Sequence, residues 1–239
     1  YIDEVYDRML ALGVKPFVEL SFFPKDIAAK DSKQQMWYQN NVSVDRNNFD
    51  KWHNLVKEFT QHVVDRYGID EVLTWYFEVW NEPNLNLNPK AGFFDGTKSD
   101  YFRMYKESVK AIKSIDKRLK VGGPATSNFI ADNRHDGEIM DHKKSVFYSQ
   151  DIINTKQWKG VWIEDFLRFC EKENLPVDFI STHPYPTDYA LDPDTGRSKD
   201  AIRYVHSLHD DITWLRQQIA SSKYPNAEVH LTEWSTSPN

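Results

Sequence analysis

Residues 72–84 read VLTWYFEVWNEPN, an apolar and aromatic run that finishes on Asn81-Glu82-Pro83-Asn84. The β-branched and aromatic residues of Val72–Trp80 predict a strand. Pro83 biases the preceding Glu82 away from helix and toward extended backbone, so the carboxylate is expected at the strand's mouth, where sheet meets loop. Working outward, four further runs share this character: Pro16–Phe23 (PFVELSFF), Leu119–Gly122 (LKVG), Val177–His183 (VDFISTH) and Glu228–Trp234 (EVHLTEW). Apolar residues recur at three and four between them. One such stretch is Phe49, Trp52, Leu55, Val56, Phe59, Val63, and another is Tyr101, Phe102, Tyr105, Val109, Ile112. Trp162–Glu173 and Ala201–Ala220 read as further helices, and Ile2–Leu12 as a helix that feeds the first run, with Gly13 past its end. Strands alternating with helices predict βαβ units and a parallel sheet.

The strands start roughly fifty residues apart, generous for a βα unit of about 30. The excess follows the strands rather than preceding them: Pro24–Asn48, Asn81–Ser99, Gly123–Gly160 and Pro184–Lys199 are long, whereas Ile69–Glu71 and Asn174–Pro176 are short. Long βα loops with short αβ loops are the pattern of a barrel whose working face lies at the strand C-termini. A doubly wound sheet places its site at the same end. The fold class is therefore α/β.

Composition narrows the function. The 239 residues carry 30 Lys+Arg against 36 Asp+Glu, a formal net charge of −6, and this acidic balance argues against a nucleic-acid partner, which needs basic residues to neutralise phosphates. No run of about 18 apolar residues is present to span a membrane. A single cysteine, Cys170, can build neither an intramolecular disulfide nor a multi-cysteine zinc site. The chain opens on Tyr1 in what reads as the middle of a helix, the character of a piece of something longer.

The chemistry concentrates at two strand ends. The fifth run closes as Leu231-Thr232-Glu233-Trp234-Ser235, setting a second carboxylate at a height comparable to Glu82. In a barrel these acids, three strands apart in chain order, face each other across the mouth. Two facing carboxylates are what glycoside hydrolysis needs, one to protonate the leaving oxygen and one to attack or stabilise the anomeric carbon. The 8 Trp, 12 Tyr and 14 Phe include rings on which sugar C–H faces can pack, although most belong to a core. Other polar residues have plainer readings. Glu19 and Glu78, inside strands, are expected to be buried and paired. His206 and His209 suit a metal by spacing but lack a carboxylate loop aimed at them, so a solvated or packed role is expected.

The segment FEVWNEPNL (Phe77–Leu85) resembles the acid/base segment of glycoside hydrolase family 39, the β-xylosidases and α-L-iduronidases. PFVELSFFP, RYGIDEVLTWYFEVWNEPNL, LKVGGPA, WIEDFLRFC, PVDFISTHPY and HLTEWSTS resemble the bacterial β-xylosidases in the same order, over most of the chain. The resemblance implies part of a (β/α)8 TIM-type barrel, from the helix before strand 3 to the end of strand 7. It implies one catalytic-barrel domain fragment over 1–239 with an insertion at about 128–159, and open barrel edges through which the chain is expected to self-associate. It makes Glu82 the general acid/base and Glu233 the nucleophile. Asn81 would bond the sugar 2-hydroxyl, Tyr185 the nucleophile carboxylate, and His183 and Phe22 would line the sugar site. Phe93-Phe94 stands where the bacterial xylosidases have Phe-Trp. The implied activity is retaining hydrolysis of terminal β-D-xylosyl residues from xylo-oligosaccharides, with no metal or organic cofactor, no nucleic acid and no membrane partner. An α-L-iduronidase-like glycosidase and a catalytically silent carbohydrate-binding fragment are the alternatives.

Overall fold

A computed structural model describes residues 1–34, 40–85, 92–127, 160–185, 187–191, 198–202 and 206–234. The expected insertion at about 128–159 lies outside these. Helix α1 (Ile2–Ala11) leads into β1 (Phe17–Leu20), and α2 (Phe49–Tyr67) and the single turn α3 (Ile69–Val72) lead into β2 (Tyr76–Val79). Then come α4 (Lys98–Ile115), β3 (Lys120–Ser127), α5 (Ile163–Lys172) and β4 (Phe179–His183). A short pair, β5 (Thr187–Leu191) with β6 (Ser198–Ile202), precedes α6 (Ser207–Ala220) and β7 (Glu228–Leu231).

The main sheet is parallel and runs β1-β2-β3-β4-β7. Each new strand is added to the same side as the last. A doubly wound sheet reverses its order at a switch point, whereas successive βα units of a barrel do not. The sheet also curves strongly. Strands β2 and β7 are three positions apart, about 14 Å in a flat sheet, yet the Tyr76 hydroxyl donates to Glu228 Oε2 at 2.7 Å and the Thr232 hydroxyl to Glu78 Oε1 at 2.8 Å. Phe17 on β1 and His230 on β7, at opposite edges of the sheet, have ring centroids 5.3 Å apart. The five strands form an arc of a barrel, with side chains meeting across its hollow.

Helices cover the outer face. Phe49, Trp52, Val56, Thr60 and Val63 are the buried stripe of α2, and Ile163, Phe166, Leu167 and Cys170 that of α5. Leu55, on the expected stripe, is instead exposed. Helix α4 begins at a capping box: the Thr97 hydroxyl accepts from Asp100 N–H while Asp100 Oδ2 accepts from Thr97 N–H at 2.9 Å, a reciprocal satisfaction of orphan helix donors. Arg46 holds the same carboxylate through two donors at 2.6–2.7 Å. This fixes Tyr101, whose hydroxyl donates to the Val79 carbonyl at 2.9 Å and anchors the last residue of β2.

The sequence reading needs correction in its bounds: β1 ends at Leu20 rather than Phe23 and β7 at Leu231 rather than Trp234, and four larger differences follow. Strand β2 is only Tyr76–Val79, because Val72 closes the helical turn α3. Strand β3 continues past Gly122 to Ser127, through a register shift between Pro124 and Thr126 where Ala125 has φ 51°. Part of Pro184–Lys199 is an antiparallel strand pair rather than a loop. Residues 201 and 202 belong to β6, so the helix expected from Ala201 begins at Ser207. The β-favouring Thr187 and Tyr189 ahead of the turn-rich DPDTG are the faint signal for that pair.

Candidate active site

Glu82 sits one turn of chain beyond β2, but not in the extended backbone that Pro83 suggested. Its φ is 45°, and that of Trp80 is 71°, so the chain turns through left-handed conformations that ordinary side chains rarely adopt. Local bonds hold it there. Glu82 N–H donates to the Ala125 carbonyl at 2.9 Å, an acceptor that the irregularity in β3 turns toward the loop. Asn84 clasps the end of β3, donating to the Ser127 carbonyl at 2.8 Å and accepting from Ser127 N–H at 3.0 Å. Behind the loop, Trp80 meets Phe23 at 4.4 Å, Phe94 at 5.5 Å and Trp52 at 6.0 Å between ring centroids. Each such aromatic pair adds about 0.5–1.5 kcal/mol beyond its burial.

The structure brings four of the six expected residues together as two neighbouring hydrogen-bonded pairs. His183, at the end of β4 and buried, has Nδ1 3.0 Å from Glu82 Oε1 and 3.8 Å from Glu233 Oε2. The Tyr185 hydroxyl donates to Glu233 Oε2 at 2.9 Å. Glu82 is 6% exposed, whereas the Glu233 side chain is 43% exposed, so the second acid is open to solvent and to a ligand. Burial works against a charge on the His183 ring, but the bond to Glu82 and the nearby charges of Glu82, Glu233 and Glu78 outweigh it and raise its pKa above the ordinary imidazole value. Asn81 stands beside this group in sequence, and its Oδ1 is buried without a hydrogen-bond partner. A buried acceptor left unpaired costs about 1–3 kcal/mol, a cost that a ligand hydroxyl would remove. Phe22 lies edge-on to Trp80 at 5.4 Å and remains partly exposed at the end of the edge strand.

Glu82, His183 and Glu233 also offer ligand atoms all within 4.8 Å of one another, close enough to suit a cation. Glu82 is already bonded to His183 and Glu233 to Tyr185, so the atoms read as two hydrogen-bonded pairs. His206 precedes α6, and His209 faces Asp210 at 3.0 Å; among the described residues they join no metal-ligating group.

Sequence reasoning missed Thr232, which touches both His183 and Glu78, and Asn84. It read Glu78 as a buried, paired acid; Glu78 is 3% exposed and accepts from the Thr232 hydroxyl. Glu19, read the same way, is exposed and accepts from the Ser21 hydroxyl. Thr232 carried a faint signal, standing next to Glu233 at a strand end.

The model of "Glycosyl hydrolases family 39" matches residues 1–239. A β-xylosidase of Caldicellulosiruptor saccharolyticus is 34% identical over 238 residues, which is 100% of this chain and 40% of the relative. A β-xylosidase of Geobacillus stearothermophilus is 32% identical over 247 residues, covering 99% of this chain and 40% of the relative. The crystal structure of a monomeric β-xylosidase from Caulobacter crescentus CB15 superposes with a TM-score of 0.76 at 32% identity, covering 100% of this chain and 41% of that one. This chain thus spans about 40% of the length of the curated relatives it matches, and its sheet is part of a TIM-type barrel. The chain belongs to glycosyl hydrolase family 39.

Proposed function

We propose that this chain carries the two catalytic carboxylates of a retaining β-xylosidase, and that residues 1–239 form one catalytic-barrel unit. The observation that carries the mechanism is the pairing of Glu82 and Glu233, whose facing oxygens lie within 4.8 Å. Retaining glycosidases hold their carboxyl groups about 5–5.5 Å apart, whereas inverting ones leave about 6.5–9.5 Å for a water. The difference in exposure supports the division of labour. Glu233, open to solvent and oriented by Tyr185, attacks the anomeric carbon. Glu82, buried against His183, protonates the leaving oxygen. The glycosyl-enzyme ester so formed has removed the negative charge of Glu233, which favours ionised Glu82; Glu82 then takes a proton from water, and the hydroxide equivalent releases the sugar with retained configuration. Asn81 Oδ1 receives the sugar 2-hydroxyl and Phe22 offers an apolar face. Xylosides are the proposed substrates because the relatives similar over the whole chain are β-xylosidases.

The test is turnover of an aryl β-D-xyloside by the 239-residue chain and by Glu82→Ala and Glu233→Ala. Each substitution is expected to lower turnover by about 10²–10⁴-fold, with azide restoring release of an activated leaving group. Should the chain be silent, the same variants are made in a protein extended to the length of the relatives. Silence of that longer protein toward xylosides would reject the substrate assignment.

A further inference from the structure

Glu78 lies in the hollow beneath Glu82 and is joined to it by an unbroken hydrogen-bonded chain. Glu78 Oε1 is 2.8 Å from Thr232 Oγ1, Thr232 Oγ1 is 3.0 Å from His183 Nε2, and His183 Nδ1 is 3.0 Å from Glu82 Oε1. A hydroxyl has one proton to donate, and a neutral imidazole has one donor and one acceptor nitrogen. With the His183 ring neutral these limits leave two settings for three protons, and with the ring charged a third, both carboxyls ionised, lies between them. In the first, Glu82 is protonated and donates to His183 Nδ1, Nε2–H donates to Thr232, and the Thr232 hydroxyl donates to an ionised Glu78. In the second, Glu78 is protonated and donates to Thr232, Thr232 donates to Nε2, and Nδ1–H donates to an ionised Glu82. The settings interconvert when each proton crosses its own hydrogen bond, so the proton count is unchanged and one proton equivalent has passed between the carboxyls.

We propose that Glu78 is the proton partner of Glu82, exchanging one proton with it through Thr232 and His183. Glu78 and Thr232 are positioning residues in this scheme, since each acts on a leaving group only through Glu82. The second setting stores the acid's proton away from solvent, and the first returns it to Glu82 for donation to a leaving group.

The surroundings support the assignment. Burial pushes the Glu78 carboxyl above the usual carboxylate range, against the pull of neighbouring hydroxyls, which favours holding a proton there. The titratable groups facing Glu78 and the chain are Glu19 from β1, Tyr101 from α4, His183 and Tyr185 at the end of β4, Glu82 after β2 and Glu233 after β7. Tyr101 donates its proton to the Val79 carbonyl and Tyr185 donates to Glu233, so neither hydroxyl competes for Thr232.

The proposal rests on the hydrolase reading for its purpose but is tested without turnover. The 239-residue chain is labelled with ¹³C and ¹⁵N, and the Glu78 carboxyl carbon and His183 ring nitrogens are followed against pH by NMR. His183→Gln identifies the His183 signals among the eight histidines. The expected result is a common midpoint for Glu78 and His183. Thr232→Val, which keeps the shape and removes the hydroxyl, should abolish that common midpoint, and Thr232→Ser should restore it. If Thr232→Val does not fold, Glu78→Gln reads the link from the other end, and His183 must then lose the shared inflection. Separate midpoints in the parent chain, or a common one surviving in Thr232→Val or Glu78→Gln, would overturn the relay and leave Glu78 a structural acid. A shared midpoint in a chain extended to the length of its relatives yet silent on glycosides keeps the relay and rejects the hydrolase reading. Turnover without the shared midpoint does the reverse.

Discussion

Gly122 shows how little room the site's support has. It stands opposite Glu78 on one side and Phe179 on the other, so it spaces β2 from β4. A Cβ placed there meets the Phe179 carbonyl oxygen at 2.3 Å and its ring at 2.6 Å. Backbone cannot swing aside as a side chain can, so the strands must part. Gly122→Ala is expected to destabilise the chain by about 1–3 kcal/mol, the usual cost of overpacking, read as a lower urea midpoint at unchanged slope. An unchanged midpoint would mean that β3 and β4 slide without cost. At this scale the two facing acids were legible, because Asn81-Glu82-Pro83 and Thr232-Glu233-Trp234 end apolar runs. The conformation of Glu82 was not. Pro83 restricts its neighbour only locally, whereas the bond from Glu82 N–H to Ala125 and the Asn84 clasp come from a strand some forty residues away. Thr232 was illegible for the same reason, since its partners lie on β2 and β4.

At the scale of the elements, β7 is tied to the arc at two heights. Above, Thr232 and Glu233 reach Glu78 and Tyr185. Below, Glu228 accepts from the Tyr76 hydroxyl at 2.7 Å and from Lys120 at 3.0 Å, with His230 Nε2 3.1 Å away. Burial opposes its ionisation, but these partners prevail and hold the Glu228 carboxyl at about 2 instead of 4.5. A carboxylate with a depressed folded pKa stabilises the fold above its unfolded value and loses that contribution as pH falls through the folded one. The tie should therefore be complete above about pH 4.5 and lost toward about pH 2. Because the Glu228 side chain is 44% exposed, solvent screens much of its worth. Glu228→Gln should unfold at lower urea than the parent at neutral pH, with the difference closing across that window. A difference independent of pH would place the effect in shape rather than charge. The strands of the main sheet and the long helices were legible from their periodicities, whereas α3, the β5–β6 pair and the extension of β3 through Gly-Gly-Pro-Ala were not. Glycine and proline read as the end of a strand, and only pairing with the buried β4 carries this one on to Ser127.

For the whole molecule, the parallel α/β class was legible from alternation and loop length, the barrel order of the strands only from the family resemblance, and the curvature only from contacts across the hollow. The arc leaves β1 and β7 as edges with no further strand among the described residues. Apolar side chains line that region: Ile2, Val5, Leu12, Val14, Phe17 and Leu55 are exposed near β1, and Trp234 is 68% exposed just past β7. Unpaired strand edges template pairing with another chain, and the clustered apolar surface adds a driving force of about 25 cal/mol for each Å² removed from water. The 239-residue chain is expected to self-associate through these edges, with a sedimentation coefficient that rises with concentration. Phe17→Lys exchanges the ring contacts with Tyr76, Phe179 and His230 for an inward charge at the β1 edge, and by a device that natural edge strands use against pairing it should lower the association. A single concentration-independent species in the parent chain would show that the edges are closed, and an unchanged profile in Phe17→Lys would move the contact away from β1. Both edges bound the hollow that holds Glu82 and Glu233, so a second copy, or further strands of a longer chain, would close the wall beside Phe22 and, under the proposed hydrolase function, change ligand affinity before turnover.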